Sequence, residues 1–85
     1  MKTYIKGNIS TIIYNNEQNG YTVGIFKIKE TNSTDEELLN CVKKTISFVG
    51  TFHEIKEKAN YLFYGQTIVH PKYGYQFQVS EYEII

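Results

Sequence analysis

Apolar and polar residues alternate in two runs at the start of the chain, which predicts a pair of β-strands. The first strand spans Lys2 to about Asn15, and the adjacent pair Ile12-Ile13 breaks its two-residue period. A period that changes phase in this way indicates a bulge or a coiled strand. The second strand spans Tyr21 to Glu30, and its pattern also changes phase near the middle. The polar turn between the strands ends in Asn-Gly, a pair that accepts positive φ, so a hairpin is predicted.

A polar, acidic segment separates this hairpin from three further predicted strands. Within residues 31–42, Asp35 can cap one short helical turn that runs into Leu38, but we expect a solvated excursion between strands. The three strands span, in order, Lys43 to Phe52, Tyr61 to Val69 and Tyr75 to about Ile84. Turns at residues 53–59 and 70–74 join them. The chain therefore reads as five strands with little helix.

Glycines inside four of the predicted strands indicate a closed sheet. A glycine weakens a strand unless a sharp bend or a close approach of two backbones requires it. The four residues are Gly7, Gly24, Gly50 and Gly65. Five coiled strands with such corners predict an all-β fold, a five-stranded OB-fold-like Greek-key barrel. An SH3-like barrel is the alternative, and periodicity alone does not separate the two.

Length and composition limit the chain to one small domain without covalent or metal cross-links. Its 85 residues include one cysteine and two histidines, which excludes an internal disulfide and the usual zinc spacings. Nine lysines balance nine acidic residues and arginine is absent, whereas nucleic-acid-binding domains are usually basic. Aromatic residues are frequent at 15%, which favours strands. Without a secretion signal or a long apolar run, we expect a cytoplasmic protein with no membrane contact.

Motifs that carry catalysis are absent from the sequence. There is no glycine loop of the phosphate-binding type, and no serine stands in the context of a nucleophile. Cys41 has no sequence neighbour that would activate its thiol. We therefore expect neither a catalytic residue nor a metal or cofactor in this domain, and recognition of another molecule is the function that remains.

Tyrosines interleaved with lysines are the main signal for recognition. On barrels that bind single-stranded nucleic acid, aromatic side chains stack on bases and lysines contact the backbone. The candidate binding residues are Lys6, Tyr14, Lys27, Tyr64, Lys72, Tyr73 and Tyr75, with further positive charge at Lys29, Lys43 and Lys44. The same tyrosines can instead be amphipathic edges of the core, and the lysines can protect sheet edges from aggregation. Two stacking tyrosines would contribute roughly 2–6 kcal/mol, so such a module binds weakly unless it is tethered.

Three blocks of sequence carry a family resemblance. They are Asn-Glu-Gln-Asn-Gly-Tyr-Thr-Val at 16–23, Phe-Val-Gly-Thr-Phe at 48–52 and His-Pro-Lys-Tyr-Gly-Tyr-Gln-Phe at 70–77. In this order they resemble the N-terminal OB-fold domain of bacterial RecD/TraA-type DNA helicases, the stand-alone RecD-like enzymes. The resemblance spans nearly the whole chain. It implies a longer parent protein with helix-hairpin-helix elements and two RecA-like motor domains, which would bind ATP and Mg²⁺ and unwind DNA 5′→3′.

What the resemblance implies for this chain is limited by what the chain contains. No motor motif lies in these residues, so we expect an excised N-terminal domain, and no catalytic residue can be carried over. The chain departs from the family pattern at His53, where a proline is usual, and at Lys58-Ala59, where Gly-Glu is common. Thr67 stands where an aromatic is common, which weakens the case for base stacking there. The acidic segment 31–42 is longer than is typical.

Two functions follow from these observations as hypotheses. The first is an accessory domain of a helicase that assists binding of single-stranded DNA. The second is a docking module that contacts the motor domains of its own chain, or a partner protein, without touching nucleic acid. The position of the lysines separates them, since a DNA-binding domain requires them to line one groove. The residues to locate are Lys6, Lys27, Lys43, Lys44 and Lys72. A stand-alone RNA-binding barrel is a third possibility, against which the family blocks argue.

Overall fold

Over residues 3–72 and 74–85, which the computed structural model describes, the chain forms five strands and one short helix. The elements are, in chain order, β1 (Thr3–Asn15), β2 (Tyr21–Thr31), α1 (Glu36–Asn40), β3 (Thr45–Thr51), β4 (Asn60–His70) and β5 (Gly74–Ile84). All five predicted strands are present close to their predicted ends. Lys2, the predicted first residue of β1, lies outside the described residues. Within those residues, no helix has the length and apolarity needed to cross a membrane.

The strands close into a barrel in the order β1-β2-β3-β5-β4. Neighbouring strands are antiparallel except β3 and β5, which run parallel and pair only over Ser47–Val49 and Gln76–Gln78. β1 closes the barrel because its first half pairs with β4 on one side while most of its length pairs with β2 on the other. This closed five-stranded sheet with a crossover between β3 and β5 confirms the predicted OB-fold-like Greek-key barrel.

The register of the β1–β2 hairpin explains one predicted irregularity and corrects another. Pairing shifts between Ile9 and Thr11 and again between Ile12 and Tyr14, which confirms the predicted break in β1. The predicted change of phase in the middle of β2 is wrong, because every second residue from Thr22 to Ile28 is buried without interruption. Val23 and Ile25, which lie between the buried residues, face the outside of the barrel. Because they are apolar too, the alternation was not visible in the sequence.

Aromatic rings fill the barrel, and Phe63 of β4 lies at their centre. Its ring centroid is 4.5 Å from that of Phe26, 5.1 Å from Phe48, 5.4 Å from Phe52 and 5.6 Å from Tyr61. All five side chains are buried. Because each strand contributes alternate residues to this interior, the residues between them are directed outward. The core therefore decides which side chains are available for binding.

The acidic segment after β2 is more ordered than the sequence suggested. Asp35 caps α1, since its side chain accepts a hydrogen bond of 3.0 Å from the backbone N–H of Glu37. Leu38 is fully buried, which corrects the expectation of a solvated excursion. The helical turn that Asp35 can cap is present in the structure. It is stabilised because it buries Leu38 at an end of the barrel.

Two glycines permit close approach of neighbouring backbones, and replacing either should destabilise the barrel. A Cβ at Gly7 would collide with the carbonyl oxygen of Lys27, and one at Gly65 with that of Gln78. Backbone atoms cannot move aside as a flexible side chain can, so we expect Gly7→Ala and Gly65→Ala each to cost about 3 kcal/mol in urea unfolding.

Gly74→Ala is the matched control for these two variants. Gly74 has a φ of +80°, but a Cβ there would meet nothing within 4 Å. Its replacement should cost only the strain of the left-handed conformation, about 1–2 kcal/mol. Equal losses at Gly7 and Gly74 would show that steric contact between strands does not set the requirement for glycine.

Candidate nucleic-acid interface

The outward residues of β2 and β3 form a continuous surface, which we call the β2–β3 face. Direct cross-strand pairing places them side by side, because paired residues in an antiparallel sheet point to the same side. The pairs are Tyr21 with Thr51, Val23 with Val49, Ile25 with Ser47 and Lys27 with Thr45. The surface is therefore apolar in the middle and carries an aromatic ring at one end and a lysine at the other.

A pair of exposed tyrosines marks the first end of the β2–β3 face. The ring centroids of Tyr14 and Tyr21 are 6.3 Å apart, and the side chains are 50% and 42% exposed. Ile13 beside them is 63% exposed. Tyr14 reaches this surface from β1, where it pairs with Val23. Three neighbouring apolar side chains that remain in water form a patch that is available for contact with another molecule.

The turn between β1 and β2 holds these tyrosines in place. The Asn16 N–H donates to the carbonyl of Tyr21 at 2.8 Å, and the Gly20 N–H donates to the carbonyl of Asn16 at 2.7 Å. The side-chain amide of Asn15 also donates to the hydroxyl of Thr22 at 2.8 Å. A turn fixed by bonds at both ends presents its aromatic side chains at little further entropic cost on binding.

A groove of about 370 Å³ runs from the tyrosines across the face. Its walls are apolar, and its floor includes two polar side chains, Ser47 of β3 and Gln76 of β5. A second depression adjoins it along β3 and β5 and shares Tyr21 and Gln76 with it. Together they form a shallow channel that crosses the strands.

Three lysines gather at the other end of the face. Lys27 pairs with Thr45, the first residue of β3. The Lys43 N–H donates to the carbonyl of Ile28 at 2.7 Å, and the Ile28 N–H donates to the carbonyl of Lys44 at 3.1 Å. These bonds bring Lys43 and Lys44 beside the end of β2, and the three lysine side chains are exposed.

The turn before β5, which includes Lys72, adjoins the same end. Because β3 and β5 run parallel and in register, their first residues Thr45 and Gly74 lie at one end of the barrel. The helix α1 comes just before Lys43 in the chain and carries Glu36 and Glu37 in its first turn. The positive charge is thus partly balanced, and attraction for phosphate is modest and sensitive to salt.

Lys6 and Tyr64 lie elsewhere, on a surface that we call the β1–β4 wall. Tyr64 pairs with Tyr4, and their ring centroids are 6.3 Å apart. Lys6 pairs with Leu62 on one side and with Glu30 on the other. The Tyr4 hydroxyl donates to Glu30 Oε2 at 3.1 Å, and this bond raises the pKa of Tyr4. These two candidates are not part of the β2–β3 face.

Tyr75 faces the core and α1 rather than the solvent. Its ring packs against the buried cluster, and its hydroxyl donates to Asp35 Oδ2 at 3.2 Å. Burial raises the pKa of the Tyr75 phenol. The aromatic face of Tyr75 is therefore covered by the protein itself and is not available for stacking on a base. Tyr73, the remaining candidate, lies outside the described residues.

The chain matches the family model for the OB-fold domain of the ATP-dependent DNA helicase YrrC, over residues 2–85. The chain belongs to this family. The resemblance carried by the three sequence blocks is thus confirmed at the level of a DNA helicase family. In this YrrC-type OB-fold domain, the candidate residues that the fold brings together are Tyr14, Lys27 and the turn of Lys72, with Lys43 and Lys44 beside them.

In residues 3–72 and 74–85, no three His, Cys, Asp or Glu side chains are placed to hold a metal ion. Burial raises the pKa of the Cys41 thiol, which disfavours the reactive thiolate. The chemistry available on the β2–β3 face is stacking, hydrogen bonding and charge pairing.

Sequence reasoning missed several residues of the candidate interface, chiefly Ile13, Tyr21, Val23 and Gln76. A signal for β2 was present, because Tyr21, Val23 and Ile25 share one parity while Phe26 and Ile28 share the other. A strand with apolar residues on both sides is either doubly buried or exposes one apolar side. The exposed apolar side of β2 forms part of the candidate interface.

Proposed function

We propose that this OB-fold domain lays single-stranded DNA across its β2–β3 face and so assists strand binding by a RecD-like, 5′→3′ ATP-dependent helicase. The observation that carries the proposal is the presence of Tyr14, Tyr21 and three lysines on one surface. OB folds bind oligonucleotides on the face of strands 2 and 3 and on the adjoining loops. In such a helicase, ATP and Mg²⁺ would bind to the motor domains, and this domain would need neither.

The two ends of the face suit two parts of a nucleotide. Tyr14 and Tyr21 offer rings on which bases can stack. Stacking tolerates any base sequence because every base has a π-face. Lys27 stands six residues along β2 from Tyr21, which corresponds to about 20 Å of strand. That distance accommodates a few nucleotides, with bases at the tyrosine end and phosphates at the lysine end.

The expected affinity is low, and this agrees with an accessory role. Stacking on two tyrosines gives roughly 2–6 kcal/mol, which at its upper end corresponds to a dissociation constant near 50 μM. About three phosphate contacts give a log–log salt slope of about −2 on single strands. Tethering to motor domains that hold the same strand supplies the effective concentration that a free domain lacks.

A docking role is favoured by the β1–β4 wall and is compatible with DNA binding on the β2–β3 face. On the β1–β4 wall, Tyr4 and Tyr64 form an aromatic pair next to Glu30. Lys6 and Glu30 lie side by side there, so the surface offers phosphate no cluster of positive charge and suits contact with a protein, including the motor domains of the parent chain. The two surfaces would allow the domain to hold DNA on one side while it rests on the helicase with the other.

The salt dependence of DNA binding tests the proposal through one lysine. Fluorescence anisotropy of a labelled oligothymidylate, titrated with the domain at several salt concentrations, should give binding in the range of tens to hundreds of micromolar. Lys27→Ala should lower the magnitude of the log–log salt slope by about 0.7, because one phosphate contact is lost.

Lys6→Ala is the matched control, because both lysines are exposed and lie within a strand. It should leave affinity and slope unchanged. Equal effects of the two substitutions would show that charge acts without a defined face. Absence of binding at about ten times the expected dissociation constant would contradict direct DNA contact altogether.

A further inference from the structure

One polar side chain on the outside of the barrel is almost completely buried. Gln76 of β5 is 2% exposed, although the neighbouring Phe77 occupies the interior. Its strand partners are Ser47 of β3 on one side and Ile68 of β4 on the other. Gln76 therefore lies on the outer surface, in the floor of the channel that crosses the β2–β3 face.

The amide of Gln76 opens into this channel and has no hydrogen-bond partner among the described residues. No fully buried side-chain nitrogen or oxygen in that part of the chain lacks a hydrogen-bond partner, so the unpaired amide of Gln76 must keep some accessible surface in the channel. An amide that faces a narrow channel and makes no bond to the protein is available to a ligand with a matching donor and acceptor.

The surroundings of Gln76 define the shape of such a ligand. Tyr14, Tyr21 and Val23 form the apolar walls of the groove, and its volume of about 370 Å³ is in the range of small-molecule sites. A flat, aromatic molecule that carries a donor beside an acceptor on one edge fits both features. Nucleobases have this chemistry, since glutamine pairs with a base through one donor and one acceptor.

We propose that the groove is a nucleobase pocket, in which Gln76 reads the hydrogen-bonding edge of one base whose face lies against Tyr21. This inference rests on the proposed binding of single-stranded DNA and extends it from general contact to recognition of a base edge. Single strands are required, because the edge of a paired base is already occupied. Gln76 belongs to the His-Pro-Lys-Tyr-Gly-Tyr-Gln-Phe block. It lies in β5, after the turn with which that block begins.

Methylation of the base edge tests the proposal without changing the protein. Anisotropy titrations should compare an oligothymidylate with the same strand built from N3-methylthymine. The methyl group removes the donor from the edge and leaves the ring face and the phosphates unchanged. The domain should bind the unmodified strand about five- to tenfold more tightly, the size expected for one or two hydrogen bonds.

Gln76→Leu is the companion variant, because leucine has a similar volume and no amide. It should bind both strands with one affinity, equal to that of the unaltered domain for the methylated strand. Its thermal unfolding midpoint reports whether it folds. If the unaltered domain binds both strands equally, the base pocket is wrong while DNA binding stands. If it binds neither strand, both proposals fail.

Discussion

Phe63→Ala should destabilise this domain by about 3–5 kcal/mol, the cost of a large cavity in an aromatic core. The side chain is fully buried, and four rings lie within 5.6 Å of its centroid. These rings come from β2, β3 and β4 and from the residue after β3, so they cannot collapse together into the space. Small domains have a total stability of about 5–15 kcal/mol, and the variant should therefore unfold near physiological temperature.

Urea unfolding followed by far-ultraviolet circular dichroism measures this loss. Val69→Ala on the same strand is the control, since Val69 is 76% exposed. It should change the free energy of unfolding by less than about 0.5 kcal/mol. A loss below about 1 kcal/mol for Phe63→Ala would mean that the rings around it do not form one packed core.

The second large effect is expected in DNA binding. The double variant Tyr14→Ala/Tyr21→Ala should weaken binding of an oligothymidylate by at least about 30-fold, since each stacked base contributes about 1–3 kcal/mol. Both tyrosines are substantially exposed, so their removal from the surface should cost little folding free energy compared with the loss at Phe63.

The barrel contains its own matched control for this variant. Tyr4 and Tyr64 form a second tyrosine pair with the same centroid separation of 6.3 Å, on the β1–β4 wall. The double variant Tyr4→Ala/Tyr64→Ala should retain the DNA affinity of the unaltered domain. If the two pairs contributed equally, single strands would bind wherever tyrosine is available, and the β2–β3 face would have no special role.

The strands and the barrel were accessible from the sequence because local pattern decides them. Alternation around Phe48, Phe63 and Phe77 marked three strands, and glycines such as Gly7 marked the close approaches that a coiled sheet needs. The helical turn was harder to predict, because only one leucine in it is buried. A single buried residue gives no periodicity to detect.

The binding surface was only partly accessible because it depends on which strands become neighbours. Lys6 and Lys27 are both exposed strand residues, and nothing local distinguishes them. Closure of β1 onto β4 places Lys6 beside Leu62, whereas Lys27 pairs with the start of β3. Gln76 was unremarkable in sequence for the same reason. Its burial arises from the pairing of β5 with both β3 and β4.

Backbone amide chemical-shift mapping is the most direct test that this OB-fold domain holds single-stranded DNA on its β2–β3 face. A ¹⁵N-labelled sample titrated with a short oligothymidylate should show saturable shifts at Tyr14, Tyr21, Val23 and Ser47, and at the amides around Lys27. Residues of the β1–β4 wall, Lys6 and Tyr64 among them, should not shift. Shifts centred on that wall, or no saturable shift at all, would contradict the account.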